Sequence, residues 1–249
     1  MRSVGPEMQA QGSPSLSVVI PCYNEGDNVW RVLEDLIREL DVQIPDYEII
    51  LVDDGSTDCN DPHPPDLDSH PKIKWPRHLS RKGSGSARKT GMIAATGEWI
   101  AWMDADGTYL PKDLVTLWKA RQQNTHIIGM RRPESGWNNF PRRFAKGVFR
   151  MLVAILWKRK IPDLNSGLRL FPRKHALEWA HALPKGFSCA TVATLACLNR
   201  GYPLLFVPID YLPRPKSSKS KFRPIVDSAR MLGQILLWRM RKRSSSKGR

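Results

Sequence analysis

Apolar positions along the chain fall into short runs and helical stripes that alternate. Residues 16–21 read LSVVIP, a β-branched run closed by proline, which predicts a buried strand. After CYNEGDN, the residues Val29, Val32, Leu33, Leu36, Ile37 and Leu40 recur at helical spacing, with Asn24 or Asp27 available as the N-cap. A second run, Ile49 to Val52, ends in two acids and a glycine turn. Strand, helix, strand in that order predicts a right-handed βαβ unit and a parallel sheet. CNDPHPPDLDSHP carries too many prolines for a helix and reads as a loop. RKGSGSARKTGMIAA then predicts a small-residue turn entering a helix, and TGEWIAWMDAD a third strand. Pro111 opens a further helix, and IIGMRR reads as a fourth strand ending in Arg131 and Arg132. The second half is less regular. A basic, aromatic stretch runs to Lys160, GFSCATVATLACLNRGY predicts a helix, PLLFVPIDYLP a strand, and a last amphipathic helix runs into RMRKRSSSKGR.

A chain of 249 residues suffices for one sizeable α/β domain or two small ones, and I-, L- and V-rich runs with 41% hydrophobic and 25% charged residues describe a globular protein. Charge changes the picture more. Thirty-nine Lys and Arg against 24 Asp and Glu leave +15, which points to an anionic partner: nucleic acid, anionic lipid head groups or a phosphorylated small molecule. Cys22, Cys59, Cys189 and Cys197 form no CxxC pair, so neither a zinc site nor a disulfide framework is indicated, and free thiols in a reducing cytosol are expected. Residues 1–14 hold no apolar run fit for a signal peptide and read as a disordered tail. The longest apolar stretches, Phe144 to Trp157 and Ile225 to Met240, are interrupted and shorter than the roughly 20 apolar residues of a span, so no transmembrane helix is expected.

In open α/β sheets, ligands bind beyond the carboxyl ends of the strands. There this chain places Asn24 and Glu25, then Asp53 and Asp54, then Asp104 and Asp106. Two like charges one residue apart at the end of an apolar strand persist if something positive sits between them, and a divalent cation meets that need. KGSGSARKTG lacks the Walker pattern and reads mainly as tight packing, with Lys82 and Arg88 as charge partners. Each feature has a plainer reading too: Glu25 as a helix-start acid, Asp53 and Asp54 as turn formers with Gly55, and KSSKSK as a solvated run.

Five segments in order, PCYNE, VDDGSTD, RKGSGSARKTGMIAATGEWIAWMDAD, DLNSGLRLF and SKSKF, resemble a family 2 glycosyltransferase of GT-A fold, most like the dolichyl or polyprenyl phosphate mannose synthase group. The resemblance spans Leu16 to about Phe222. It implies a Rossmann-like, mostly parallel sheet flanked by helices over residues 15–222, with an amphipathic basic C-terminal helix and tail over 223–249. It also implies a metal-dependent, inverting transfer of a hexose, mannose from GDP-mannose first, onto a polyprenyl or dolichyl phosphate. Asp104 and Asp106 would bind Mg²⁺ or Mn²⁺. Thr108 stands where the family often has a metal-binding Gln, and its hydroxyl could bind directly or through a water. Pro21, Tyr23, Glu25, Val52, Asp53, Asp54 and Ala105 carry over as donor contacts. Arg131, Arg214 and Lys221 carry over as phosphate contacts, Arg131 with the two DxD carboxylates as the catalytic set.

The acceptor divides the alternatives. A hydroxyl acceptor, or UDP-glucose or another nucleotide sugar as donor, keeps the same fold, but a hydroxyl needs a carboxylate base, for which Asp163 is the best candidate. A lipid phosphate is already largely ionised and needs cationic clamping instead. Arg142, Arg143 and Lys146 beside Phe144, Phe149, Leu152 and Trp157 suit that, reading as an interfacial helix on an anionic membrane surface, with core packing as the alternative for its apolar face. Peripheral association with a membrane from the cytoplasm is therefore expected. No recognised nucleic-acid-binding motif accompanies the charge, and acid-tipped strands would repel nucleic acid, so none is expected as partner.

Overall fold

The computed structural model describes residues 15–58, 67, 69–132, 140–213 and 224–245, with side chains described outside 140–146, 224–225 and 241–245. Its strands are β1 (Leu16–Cys22), β2 (Tyr47–Asp53), β3 (Ile73–Lys74), β4 (Trp99–Trp102), β5 (His126–Arg131), β6 (Arg169–Pro172) and β7 (Leu204–Ile209). Its helices are α1 (Asn28–Gln43), α2 (Ser84–Ala94), α3 (Pro111–Lys119), α4 (Phe140–Trp157), α5 (Arg173–Ala180), α6 (Cys189–Arg200) and α7 (Pro224–Ser245). The strands form one sheet in the order β3-β2-β1-β4-β6-β5-β7.

Strand β1 shows why the sheet is central. Successive side chains point to opposite faces, and here both faces are covered, so the run is apolar throughout rather than alternating. Val18 and Ile20 join the cluster that includes Val29, Leu33 and Leu36 of α1 and Leu114 and Leu117 of α3. Val19 joins the opposite cluster, with Ala87 and Met92 of α2, Trp179 of α5, Val192 and Leu195 of α6, and Ile235 and Trp238 of α7. The predicted α1 stripe is the buried one, except that Ile37 is only partly covered. Asp27 occupies the N-cap of α1 without a side-chain cap bond. Asn24 instead adopts φ 48°, and its side chain and N–H reach across to Thr57 and Ser56.

Two strands depart from expectation. Ile73 and Lys74 add a two-residue strand against β2 after the proline-rich segment, most of which lies outside the described residues. The four-residue β6 runs antiparallel to both β4 and β5, pairing Ala101 with Leu170 and Ile127 with Leu170. Its shortness hides it in the sequence, where RLFP runs straight into α5. Its direction matters for the site. Because β6 enters from the edge where β1, β2, β4 and β5 end, the segment 163–168 is delivered to that same edge.

Helices α4 and α7 contribute Val153, Trp157, Met231, Ile235 and Trp238 to the core, while Met151, Ile155, Leu232, Leu236 and Met240 stay exposed. Among the described residues no helix is long and apolar enough to cross a membrane. Cys22, Cys189 and Cys197 are free and buried, and Cys59 lies outside the described residues.

Candidate active site

The parallel register places Cys22 beside Asp53 and Val19 beside Trp102, so the loops after β1, β2 and β4 meet at one edge. The first two are laced together. Thr57 N–H donates to Asn24 Oδ1 at 2.9 Å and Gly26 N–H to Asp58 Oδ2 at 2.8 Å. Asp53 accepts from Ser56 N–H at 2.8 Å and pairs with Arg77 at 3.1 Å. Asp54 is buried; it accepts from Lys82 and Gly83 N–H at 2.9 and 2.7 Å and meets His78 Nδ1 at 2.7 Å, whose Nε2 faces Thr90. Asp54 therefore fixes the approach to α2. Val52 is fully buried in the core, in register with Pro21 of β1. Pro21, Tyr23 and Glu25 are half-buried at the rim, and the Arg81 guanidinium lies 4.3 Å from the centre of the Tyr23 ring. The first turn of α2 is already capped, since Lys185 C=O accepts from Gly85 and Ser86 N–H at 2.8 and 3.3 Å. The glycine-rich segment is packing, as its lack of a Walker pattern suggested.

At the end of β4, Asp106 is buried and Asp104 keeps 31% of its side chain exposed. Thr108 donates to Asp106 Oδ1 through its N–H at 3.1 Å and its hydroxyl at 2.6 Å, so it orients that carboxylate. Asp104 Oδ1 pairs with Arg88, which also donates to Cys189 Sγ at 3.4 Å and lies over Trp102. Ala105, between them, is buried. Among the described residues no third His, Cys, Asp or Glu joins these two as a metal-ligand group. Two carboxylates and a hydroxyl are hard oxygen donors, and a magnesium-like ion commonly takes one or two protein carboxylates and fills its shell with substrate phosphate and water. The residues present fit such an ion.

Arg131, at the end of β5, is held by Asp163. Its Nε and Nη2 donate to the two carboxylate oxygens at 2.8 and 2.9 Å, and its N–H to Oδ2 at 3.3 Å. Burial alone would raise the Asp163 pKa, but these bonds and the arginine charge leave it below the ordinary carboxylate value. Tyr211 lies 5.3 Å from the guanidinium and packs edge-on to Tyr109 at 5.2 Å. The side chains of Arg142, Arg143 and Lys146, and all of Arg214 and Lys221, lie outside what is described.

The family model described as glycosyl transferase family 2 matches residues 17–179, from β1 into α5. The chain belongs to this family. It is 29% identical to the dolichol-phosphate mannosyltransferase of Pyrococcus furiosus over 90% of this chain and 64% of that protein. It is also 29% identical to the undecaprenyl-phosphate 4-deoxy-4-formamido-L-arabinose transferase of Photorhabdus laumondii, over 66% of this chain and 50% of that protein. The chain thus spans half to two thirds of the length of these relatives. In fold it resembles the glucosyl-3-phosphoglycerate synthase of Mycobacterium tuberculosis, solved with Mn²⁺, uridine diphosphate and phosphoglyceric acid (TM-score 0.66, 18% identity, 91% of this chain and 78% of that one).

Several residues of this family 2 member shape the site without having been singled out from sequence. Arg169 on β6 is buried, and burial pulls its pKa down to about 10. Its guanidinium donates to Ser166 and Leu164 C=O at 2.8 and 3.0 Å and to the Thr194 hydroxyl at 2.8 Å, which sets the path of residues 163–168. Gly167 then passes so close to Asp104 that a Cβ would overlap Oδ2, and its N–H donates to the Tyr109 hydroxyl at 2.7 Å. The signal was present as DLNSG followed by LR, but nothing in one dimension says which strand end that loop meets.

Proposed function

We propose that this glycosyltransferase moves a hexose, mannose from GDP-mannose in the first instance, onto a polyprenyl or dolichyl phosphate with inversion at the anomeric carbon. The observation that carries the acceptor class is the Arg131–Asp163 pair. The carboxylate offered as a base for a hydroxyl acceptor has both oxygens bonded to an arginine, so the group near the DxD pair that suits an acceptor is a cation. The names of the Pyrococcus furiosus and Photorhabdus laumondii relatives support a lipid phosphate acceptor, and the first supports mannose.

In this reading Tyr23, with Arg81 behind it, Pro21, Glu25 and the Val52 backbone line the nucleoside pocket, while Asp53 and Asp54 shape it. Asp104 and Asp106 would hold Mg²⁺ or Mn²⁺, with Thr108 orienting Asp106; when bound, the ion would supply positive charge to the leaving diphosphate. Arg131 receives the acceptor phosphate, whose oxygen is the nucleophile and needs no base. Arg142, Arg143, Arg214 and Lys221 add cationic charge for the two phosphate groups. The exposed apolar residues of α4 and α7, flanked by the basic C-terminus, form the face that meets an anionic membrane surface.

Radiolabelled sugar transfer tests this. GDP-mannose and UDP-glucose are offered separately with a polyprenyl phosphate in anionic or neutral vesicles, with Mg²⁺, Mn²⁺ or EDTA. Metal-dependent label in butanol-extractable lipid from GDP-mannose, faster on anionic vesicles, is expected. Label from UDP-glucose alone replaces the donor, and absence of lipid label from either donor overturns the acceptor.

A further inference from the structure

The geometry around Arg131 carries one step more, which rests on the reading of the acceptor as a phosphate. An arginine that grips a mobile phosphate must present a fixed edge, and a guanidinium on a flexible stem does not do so unaided. Here two residues fix it. Asp163 takes Nε and Nη2, its Oδ2 also accepts the Arg131 backbone N–H, and the Tyr211 ring covers the guanidinium at 5.3 Å. Among the described residues, Nη1 donates no hydrogen bond. Asp163 is itself anchored, since its Oδ1 accepts from Asn165 N–H at 3.2 Å in the loop that Arg169 shapes.

We propose that Asp163 is a positioning residue for this reaction: it fixes the Arg131 guanidinium so that Nη1 and the outer hydrogen of Nη2 face the acceptor phosphate. It touches neither substrate, and it takes no proton. The carboxylate also tempers the arginine charge, so that a phosphate group is oriented there without being trapped. The bidentate pair selects for geometry, which a lone lysine at position 131 would not supply.

The test is steady-state transfer to a short polyprenyl monophosphate by the whole chain, comparing wild type with Asp163→Asn, Arg131→Ala and the double variant. Asparagine keeps the shape and can accept one of the two guanidinium bonds. The expected result is an acceptor KM raised about 10-fold, with donor KM and kcat at saturating acceptor within about 3-fold of wild type. Asp163→Glu should recover part of that loss. The double variant should be no worse than Arg131→Ala alone, because the two residues act as one unit. If Asp163→Asn lowers kcat about 100-fold or more at unchanged acceptor KM and abolishes the acid limb of the pH profile, Asp163 is a base and the proposal falls. Independent, additive losses also overturn it. Wild type transferring sugar to no lipid phosphate defeats the acceptor reading and this inference together, whereas normal wild-type transfer with unchanged acceptor KM in Asp163→Asn defeats the inference alone. Should that variant fail to fold, Tyr211→Leu, which leaves both charges in place, must still raise acceptor KM selectively.

Discussion

Glu48 and Asp104 are both carboxylates at strand ends of one sheet, yet they sit at opposite edges and live differently. Glu48, at the amino end of β2, is buried and accepts from Ser17 Oγ at 2.6 Å, Thr96 N–H at 2.6 Å and Thr96 Oγ1 at 2.8 Å, and pairs with Lys74 at 2.6 Å. Asp104, beyond β4, pairs with Arg88 and keeps 31% of its side chain exposed. The amino edge satisfies its charge with donors from its own chain. The carboxyl edge also pairs its carboxylates with groups of the same chain, but it keeps part of Asp104 open to solvent, where a ligand can reach it.

The sharpest way to break this contrast is Asp106→Ala. Removing one of the two DxD carboxylates should lower transfer by about 100- to 1,000-fold with the fold retained. Retained transfer with intact circular dichroism would mean that the DxD pair is only a solvated turn. Next comes Gly167→Ala, whose methyl group must displace Asp104 or the loop; a shift near 1 Å at a reacting centre costs about 100-fold, and kcat/KM measured beside donor affinity reads it. The smallest effect on activity belongs to Glu48→Gln. Transfer should stay within about 2-fold, while urea unfolding should show about 1–3 kcal/mol lost as buried donors are left unpaired. Its pH dependence has a definite sign. Burial would raise the Glu48 pKa, but Lys74, Ser17 and Thr96 bring it below the ordinary value. The folded state therefore binds its proton less readily than the unfolded chain. Its stabilisation is complete above the unfolded pKa of about 4.3 and is lost as pH falls through the folded value, a loss the glutamine variant should not show.

Much of the first half, from β1 to β4, was legible because it is local. β1, α1, β2, α2 and β4 follow one another with turns the residues announce, and a parallel sheet sends every strand's end to one edge, so Asp53, Asp54, Asp104 and Asp106 could be gathered from pattern alone. The surroundings of Arg131 and Asp163 were less legible. In sequence Asp163 is only the best of a poor set of bases for a hydroxyl acceptor, since a carboxylate there shows no partner and Arg131 lies 32 positions away on another element. Thr108 is a metal-ligand candidate by position, and in space its N–H and hydroxyl both donate to Asp106.

The sequence by itself determined the α/β class, the strands that end in acids and the family, because periodicity, turn chemistry and ordered motifs are properties of neighbouring residues. Tertiary structure alone decided that β6 runs antiparallel and brings residues 163–168 against Asp104 and Arg131. A four-residue strand has no direction until it pairs, and a charge has no role until its counter-charge is in place.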